Sequence, residues 1–349
     1  MKKVLLALSG GLDSSIAAFL LKKSGYEVIG ITFNFYKNVN YKETIENSEK
    51  IADFLDIKLL KREYYEEFNE KIVKEFIKSY NMGITPSPCI LCDEIMKIGK
   101  LYNVANEFGI DYIATGHYAD KYYDENLDRY FLKRSNDIKK DQTYMLYRIE
   151  PKILEKMLFP LQNYTKEKLR NIAKENKFPN FNQKDSQGIC FAENGYIEFL
   201  NRNSEKIIKS GDIIDENGNY LGKHRGYQLY TIGQRRGLGI NSGRPYFVID
   251  IIPALNKIVV GDYDKLYRKK IKVNNYKLYV DIVGNLENII GRPRFSSNGN
   301  LGKIYIENKN LYFEYYEANT QNTDGQHIVF YKDDIIIGGG IISGAKDGI

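Results

Sequence analysis

Apolar residues follow two different rhythms along the chain. Over the first two hundred positions they gather in short continuous runs: KVLLAL (3–8), YEVIGITFNF (26–35), IKLLKREY (57–64) and DYIATGHYA (111–119). Runs of this kind predict strands buried on both faces. Between them, apolar positions recur with helical spacing over 14–24, 42–56, 66–81, 93–109 and 165–178. These segments predict amphipathic helices, the first closed by Gly25 as a C-terminal cap. Strands alternating with helices imply right-handed βαβ units and a parallel sheet. After about residue 205 the rhythm becomes alternation, in GDIIDENGNYLG (211–222), PYFVIDIIPALNKIVVG (245–261), KIKVNNYKLYV (270–280), LGKIYIENKNLYFEYYE (301–317) and HIVFYKDDIIIGGGII (327–342). Asn217-Gly218 has the chemistry of a hairpin turn. This second part reads as all-β, two small barrels or sandwiches dividing near 265–275.

Composition adds limits. The 349 residues leave room for two or three domains. No apolar run approaches the ~20 residues that a membrane helix needs. The opening MKKVLLALSGG has too short an apolar run, and no small-residue cleavage site, for a secretory signal. Three cysteines are too few, and odd in number, for a secreted disulfide framework. The expectation is a cytoplasmic protein with no membrane partner. The net charge is +6, and most of the excess lies after residue 200, with 21 Lys and Arg against 16 Asp and Glu. Residues 222–244 hold Lys223, Arg225, Arg235, Arg236 and Arg244 without an acid, interleaved with glycines, Tyr227 and Tyr230. Such a stretch suits phosphate backbone and bases, although a solvated face would look the same.

Chemistry first concentrates where the first strand gives way to the first helix, in LALSGGLDSS (6–15). Ligands of open α/β sheets bind beyond the carboxyl ends of the strands. Gly10 and Gly11 allow a tight turn and a close backbone approach to an anion. Their N–H groups and those of the first helical turn form an anion nest, to which Ser9, Ser14 and Ser15 add hydroxyls. Asp13 would repel phosphate unless Mg²⁺ lies between them. Neither GxxxxGK[ST] nor GxGxxG is present. A bare helix cap with a glycine turn is the alternative, but a cap needs only one such side chain. The segment resembles the PP-loop of the ATP pyrophosphatases, which implies cleavage of ATP between its α- and β-phosphates.

The cysteines lie far from this loop in sequence: Cys89 and Cys92 in TPSPCILCDEIMK, and Cys190 in KDSQGICF. The prolines predict an extended loop around Cys89. Cys92 falls just before a predicted helix at Asp93, where the helix terminus would lower its pKa. Buried structural thiols are the plain alternative. A zinc site lacks a fourth ligand, and no residue is assigned to a metal from spacing alone.

Taken together, SGGLDSS, TPSPCILC, DYIATGHYA, KDQTYMLY, KDSQGICF, YTIGQRRGLGI and the terminal GGGII resemble the tRNA-specific 2-thiouridylase family over nearly the whole chain. The resemblance implies an α/β PP-loop domain (1–204), a small central β-rich domain (205–268) and a C-terminal β-barrel that contacts RNA (269–349). It places the nucleotide loop on Ala7, Leu8, Ser9, Gly10, Gly11, Leu12, Asp13 and Ser14. Phe33, where a methionine is more usual, would wall the adenine, and Gly116 would present backbone to the nucleotide. Cys92 takes the nucleophile position and Cys190 the persulfide position. Ser87, Pro88 and Cys89 match the loop that receives the target base. Lys140, Asp141 and Gln142, with Arg294 and Phe295, match tRNA-contacting segments. Cys89 stands where some members carry an acid, the segment after the second strand is short, and Pro293 interrupts the basic C-terminal motif.

The implied activity is ATP-dependent 2-thiolation of the wobble uridine, position 34, of tRNA. ATP and Mg²⁺ are the expected cofactors. The expected partners are tRNA and a sulfur-donor protein, a cysteine desulfurase or a relay carrier. A 4Fe–4S cluster on Cys89, Cys92 and Cys190 is a further option, as related thiolases have a similar arrangement. A paralogue thiolating another RNA position and a PP-loop synthetase acting on a small metabolite are the alternatives. The latter would need neither the basic β part nor loop thiols, and would exchange pyrophosphate into ATP without RNA.

Overall fold

In the computed structural model, the structure describes residues 1–36, 39–183, 188–204, 208–240 and 243–344. The chain opens with β1 (Lys3–Ala7), α1 (Leu12–Lys23), β2 (Glu27–Asn34), α2 (Val39–Leu55) and β3 (Lys58–Glu63). Next come α3 (Tyr65–Phe68), a π-helical turn at Asn69–Val73 and α4 (Lys74–Asn81). Then α5 (Pro88–Cys92), a second π-helical turn at Asp93–Lys97, α6 (Ile98–Glu107) and β4 (Tyr112–Ala114) follow. β5 (Asp120–Asp124) and β6 (Arg129–Lys133) form a hairpin. After these lie α7 (Thr143–Leu146), α8 (Pro151–Lys156), β7 (Met157–Leu158), α9 (Lys166–Glu175) and α10 (Tyr196–Asn203). The β-rich part holds β8 (Gly211–Asp215), β9 (Tyr220–His224), β10 (Phe247–Ile252), β11 (Lys257–Gly261), β12 (Arg268–Leu278), β13 (Asn285–Arg292), β14 (Asn300–Glu307), β15 (Asn310–Asn319), β16 (His327–Lys332) and β17 (Ile335–Ser343).

Two compact units divide these elements. The first comprises Met1–Ile72, Cys89–Phe191 and Asp334–Ile336; the second comprises Val73–Pro88, Ala192–Asp333 and Ile337–Ile349. The first is built on a parallel sheet in the order β3-β2-β1-β4-β7. Central β1 pairs with β2 through Leu5↔Ile29 and with β4 through Leu5↔Ile113. Val4, Leu5 and Leu6 are fully buried, as a strand covered on both faces requires. α1 seals one face with Ile16, Ala17 and Leu21 against Val4, Leu6 and Leu169. The expected parallel-sheet α/β class is what the structure has.

In the second unit, β10-β11-β8-β9 form a small sheet in which β8 and β11 run parallel. β12-β15-β14-β13-β16-β17 form a six-stranded barrel closed by pairing of β12 with β17. Alternate residues Leu311, Phe313 and Tyr315 fill it, together with Ile271, Ile304, Ile328 and Phe330. The two β architectures expected from the alternation are therefore one open sheet and one closed barrel. No described helix is long and apolar enough to cross a membrane.

Candidate functional site

The first unit carries its polar chemistry where β1 ends. Hydroxyls of Thr32 and Ser48 both donate to the Leu8 carbonyl, at 2.7 and 3.2 Å, and hold the strand end in place. Gly10 then turns with φ +71°, and a Cβ on it would lie 2.6 Å from the Cβ of Asn47. Both its conformation and its space demand glycine. Gly11 caps α1 without a side-chain cap bond, so the donors of the first turn stay available to a ligand. Ser14 and Ser15 donate to the Gly11 carbonyl at 3.0 and 2.8 Å, and Ser9 Oγ lies 3.2 Å from Ser14 Oγ. Gly116, just past β4, approaches the same helix end so closely that a Cβ would lie 2.8 Å from the Ser14 nitrogen. Ser9, Gly10, Gly11, Asp13, Ser14 and Gly116 thus border one crevice at the carboxyl end of the sheet, while Ala7 is the last residue of β1 and Leu8 and Leu12 are buried in the core beneath it. Half-buried Phe33 is the penultimate residue of β2, stacked on Phe35 at 5.3 Å and tilted against Tyr64 at 5.9 Å.

Three residues that sequence reasoning missed complete the crevice. Asp13 Oδ1 accepts from Tyr118 Oη at 2.9 Å and from Lys166 Nζ at 2.7 Å. Asn180 donates to the Gly10 carbonyl at 2.8 Å and to Ser15 Oγ at 2.9 Å. They come from 105 to 170 residues away, so no local pattern announces them. Asp13 is the one carboxylate of the loop. Mg²⁺ commonly takes one or two carboxylates and completes its shell with phosphate and water, so Asp13 fits that ion.

The cysteines sit differently from expectation. Cys89 and Cys92 lie on a helix and not on an extended loop, because Pro88 occupies the first position of α5. Cys92 is not at a helix start: the chain continues through the π-helical turn into α6. It is buried, and burial pushes its thiol well above the ordinary range. The lowered pKa expected there is overturned, since the terminus that would lower it lies a turn earlier. Desolvation also raises Cys89 and Cys190. Opposing this, the positive charge of Lys97 favours the thiolate at all three. Lys97 pairs with buried Asp93 at 2.9 Å, and His117 Nε2 lies 3.9 Å from the same oxygen. Burial lowers the pKa of His117. None of Asp93, Lys97 and His117 was singled out in the sequence.

Cys190 is the exposed thiol of the three, and each of the three is free. Its neighbour Phe191 is buried against Tyr36 and Phe68, at 6.2 and 5.9 Å. Lys184–Gln187 of the same motif lie outside the described residues. Among the described residues no three His, Cys, Asp or Glu side chains group as a metal site. Cys89, Cys92 and Cys190 therefore do not fit a cluster as they stand, and no step below runs through one.

Ser87 and Pro88 belong to the second unit, and Ser87 Oγ donates to Gln326 Oε1 at 3.1 Å. In the first unit, Lys140 is exposed but Asp141 is turned inward. The Asp141 carboxylate accepts from Thr143 Oγ1 at 2.8 Å and from the Ser135 N–H at 3.3 Å. Gln142 Oε1 accepts from the Tyr118 N–H at 2.9 Å. Gln142 braces the segment that carries Tyr118, Asp141 ties together residues 135–143, and Lys140 is the exposed member of the triplet. On the barrel, Arg294 binds the Gln321 carbonyl and Thr323 Oγ1, at 3.0 and 2.8 Å, and Phe295 is 42% exposed.

Three family models match the chain: a tRNA methyl transferase HUP domain over residues 2–194, a tRNA methyl transferase PRC-barrel domain over 197–262, and an aminomethyltransferase beta-barrel domain over 302–342. The tRNA-specific 2-thiouridylase MnmA 2 of Fusobacterium nucleatum is 46% identical over 344 residues, covering 98% of this chain and 100% of its own. The tRNA-specific 2-thiouridylase MnmA of Clostridioides difficile is 40% identical over 353 residues, 98% of each chain. Among solved structures, the U34-tRNA thiolase NcsA of Methanococcus maripaludis, with its 4Fe–4S cluster, shares 18% identity at a TM-score of 0.37, over 58% of this chain and 67% of its own.

Proposed function

Since the chain belongs to the tRNA-specific 2-thiouridylase family and is thereby a tRNA sulfurtransferase, we propose that it adenylates the carbon-2 oxygen of uridine 34 and replaces that oxygen with sulfur held on Cys190. The observation that carries this reading is the crevice at the end of β1. Its glycine turn, first-turn donors and paired serines suit a pyrophosphate that must leave.

The carbonyl oxygen of uracil is a poor leaving group. It attacks the α-phosphorus of ATP, the bond to the β-phosphate oxygen breaks, and pyrophosphate departs toward Ser9–Ser15. Asp13 would hold Mg²⁺, which supplies charge neutralisation to the phosphates when bound. Phe33 would wall the adenine, and Gly116, whose lack of a Cβ lets it pack against Asp13 and Ser14, would present backbone to the nucleotide beside that loop. A sulfur-donor protein, a cysteine desulfurase or a relay carrier, loads exposed Cys190 as a persulfide.

Two routes then balance. In one, the Cys92 thiolate attacks the Cys190 sulfur and hydrosulfide leaves to attack carbon 2. AMP departs and a Cys92–Cys190 disulfide remains for an external dithiol to reduce. In the other, the terminal persulfide sulfur attacks carbon 2 and AMP departs; the Cys92 thiolate then attacks the Cys190 sulfur of the adduct, which frees the sulfur bound to carbon 2 and leaves the same disulfide for the dithiol to reduce. Either route needs Cys92 as a thiolate, which its burial opposes and Lys97 favours. The target base must leave the anticodon stack, at a cost of a few kcal/mol. Basic segments of the β-rich part would supply phosphate contacts, with Arg294, Phe295 and Lys140 among the contacting residues. Ser87, Pro88 and Cys89 would receive the base. The division into 1–204, 205–268 and 269–349 is part of the same reading.

Nucleoside mass spectrometry of tRNA incubated with protein, ATP, Mg²⁺ and a persulfide source tests this. Wild type should give 2-thiouridine at position 34, and Cys190→Ser should give none while binding tRNA normally. Product from Cys190→Ser would overturn the sulfur-carrying role.

A further inference from the structure

Resting on the sulfur-carrying role proposed for Cys190, we infer that Phe191 is a positioning residue for sulfur transfer: its ring is locked into an aromatic cluster of the first unit and holds the Cys190 sulfur where Cys92 can attack it. Cys190 itself is exposed, so its own side chain fixes little. Upstream, Gly188 turns with φ +84°, and a Cβ on it would meet nothing within 4 Å. A left-handed glycine in open space restrains the chain little. The hold comes from the residue after the cysteine. Phe191 is only 5% exposed, and it meets fully buried Phe68 edge-on at 5.9 Å and Tyr36 at 6.2 Å.

The cluster reaches further. Phe68 stacks on Phe35 at 5.7 Å, and Phe35 stacks at 5.3 Å on Phe33, the residue proposed to wall the adenine. Phe35 and Tyr36 follow β2 and Phe68 closes α3, so the ring next to the sulfur is seated on both elements. Stacked and edge-on aromatic pairs favour a small set of geometries, and withdrawing a buried ring exposes its apolar faces to water. The first unit ends at Phe191 and the second begins with Ala192. The anchor therefore keeps Cys190 with the unit that holds Cys92 and the loop at 9–15.

Two electrostatic observations agree. Charge on Cys190 opposes ionisation of Cys89 and Cys92, so the three sulfurs share one neighbourhood. The Phe191 N–H favours the Cys190 thiolate, as does the N–H of Cys190 itself. Fixing Phe191 fixes one of these donors as well as the sulfur.

The test measures the effective concentration of Cys92 and Cys190 for each other, on the full chain in buffers of reduced and oxidised glutathione. The two thiols are oxidised to a Cys92–Cys190 disulfide while one oxidised glutathione is reduced to two thiols, which take up the two protons. Peptide mass spectrometry after acid quenching counts the product. Phe191→Ala is expected to lower the effective concentration about ten- to a hundredfold, with partial recovery in Phe191→Leu and binding of α,β-methylene-ATP within about twofold of wild type in both. Should Phe191→Ala fail to fold, Phe191→Leu and Tyr36→Leu read the same effect as a loss of about three- to tenfold. An effective concentration within about twofold of wild type in every folded variant overturns the inference. So does a loss matched by an equal loss of nucleotide binding, which would make Phe191 a core residue only. Wild type that forms no Cys92–Cys190 disulfide at any glutathione ratio would instead sink the sulfur-carrying route on which this one stands.

Discussion

Cys92 and Asp13 show how far single residues can be read before their neighbours are known. Asp13 was recognisable because an acid inside an anion-binding turn is anomalous unless a cation joins it. What the sequence withheld was that a lysine and a tyrosine already hold it. Cys92 was recognisable by its spacing from Cys89, but not its environment. Pro88 starts the helix five residues earlier than expected, and the sulfur ends in the core. Burial raises the Cys92 thiol most, and partial desolvation raises Cys89 and Cys190 in the same direction. Iodoacetamide should therefore label exposed Cys190 first and Cys92 last, with rates still rising above pH 9. Peptide mass spectrometry across pH measures this. A Cys92 rate that plateaus below pH 8 would contradict the account and restore an activated resting nucleophile.

At the scale of elements, β1 and α1 were legible because their junction is local: an apolar run, two glycines, then a helical rhythm. β4 was legible as a strand but stops at Ala114, short of the glycine and histidine that follow it. That early end is what lets Gly116 sit against the start of α1. Adding one methyl there should separate the two elements. Gly116→Ala is expected to cost about 1–3 kcal/mol of overpacking. It should weaken ATP binding more than it lowers the melting temperature. Calorimetric titration beside thermal unfolding measures both, and unchanged ATP affinity would remove Gly116 from the nucleotide site. The long predicted helices at 66–81 and 93–109 are each interrupted by a π-helical turn, which apolar periodicity alone does not disclose. One of them, Asp93–Lys97, carries the charge pair that borders the cysteines.

Over the whole molecule, the alternation after residue 205 revealed strands but not which of them close. Barrel closure rests on β12 meeting β17 across about seventy residues of chain, and pairing at that range leaves no local mark. Charge was more legible than topology. Arg235 and Arg236 are both exposed, as a stretch without acids suggested. Neutralising the pair should weaken tRNA binding and lower the slope of log affinity against log salt by about one to two. An unchanged slope would place the RNA surface elsewhere. The central claim is that the uridine oxygen leaves on AMP. It is tested most directly with tRNA carrying oxygen-18 at carbon 2 of uridine 34. The account predicts one labelled oxygen in the AMP formed per 2-thiouridine made; AMP free of label, with its new oxygen drawn from water, would contradict it.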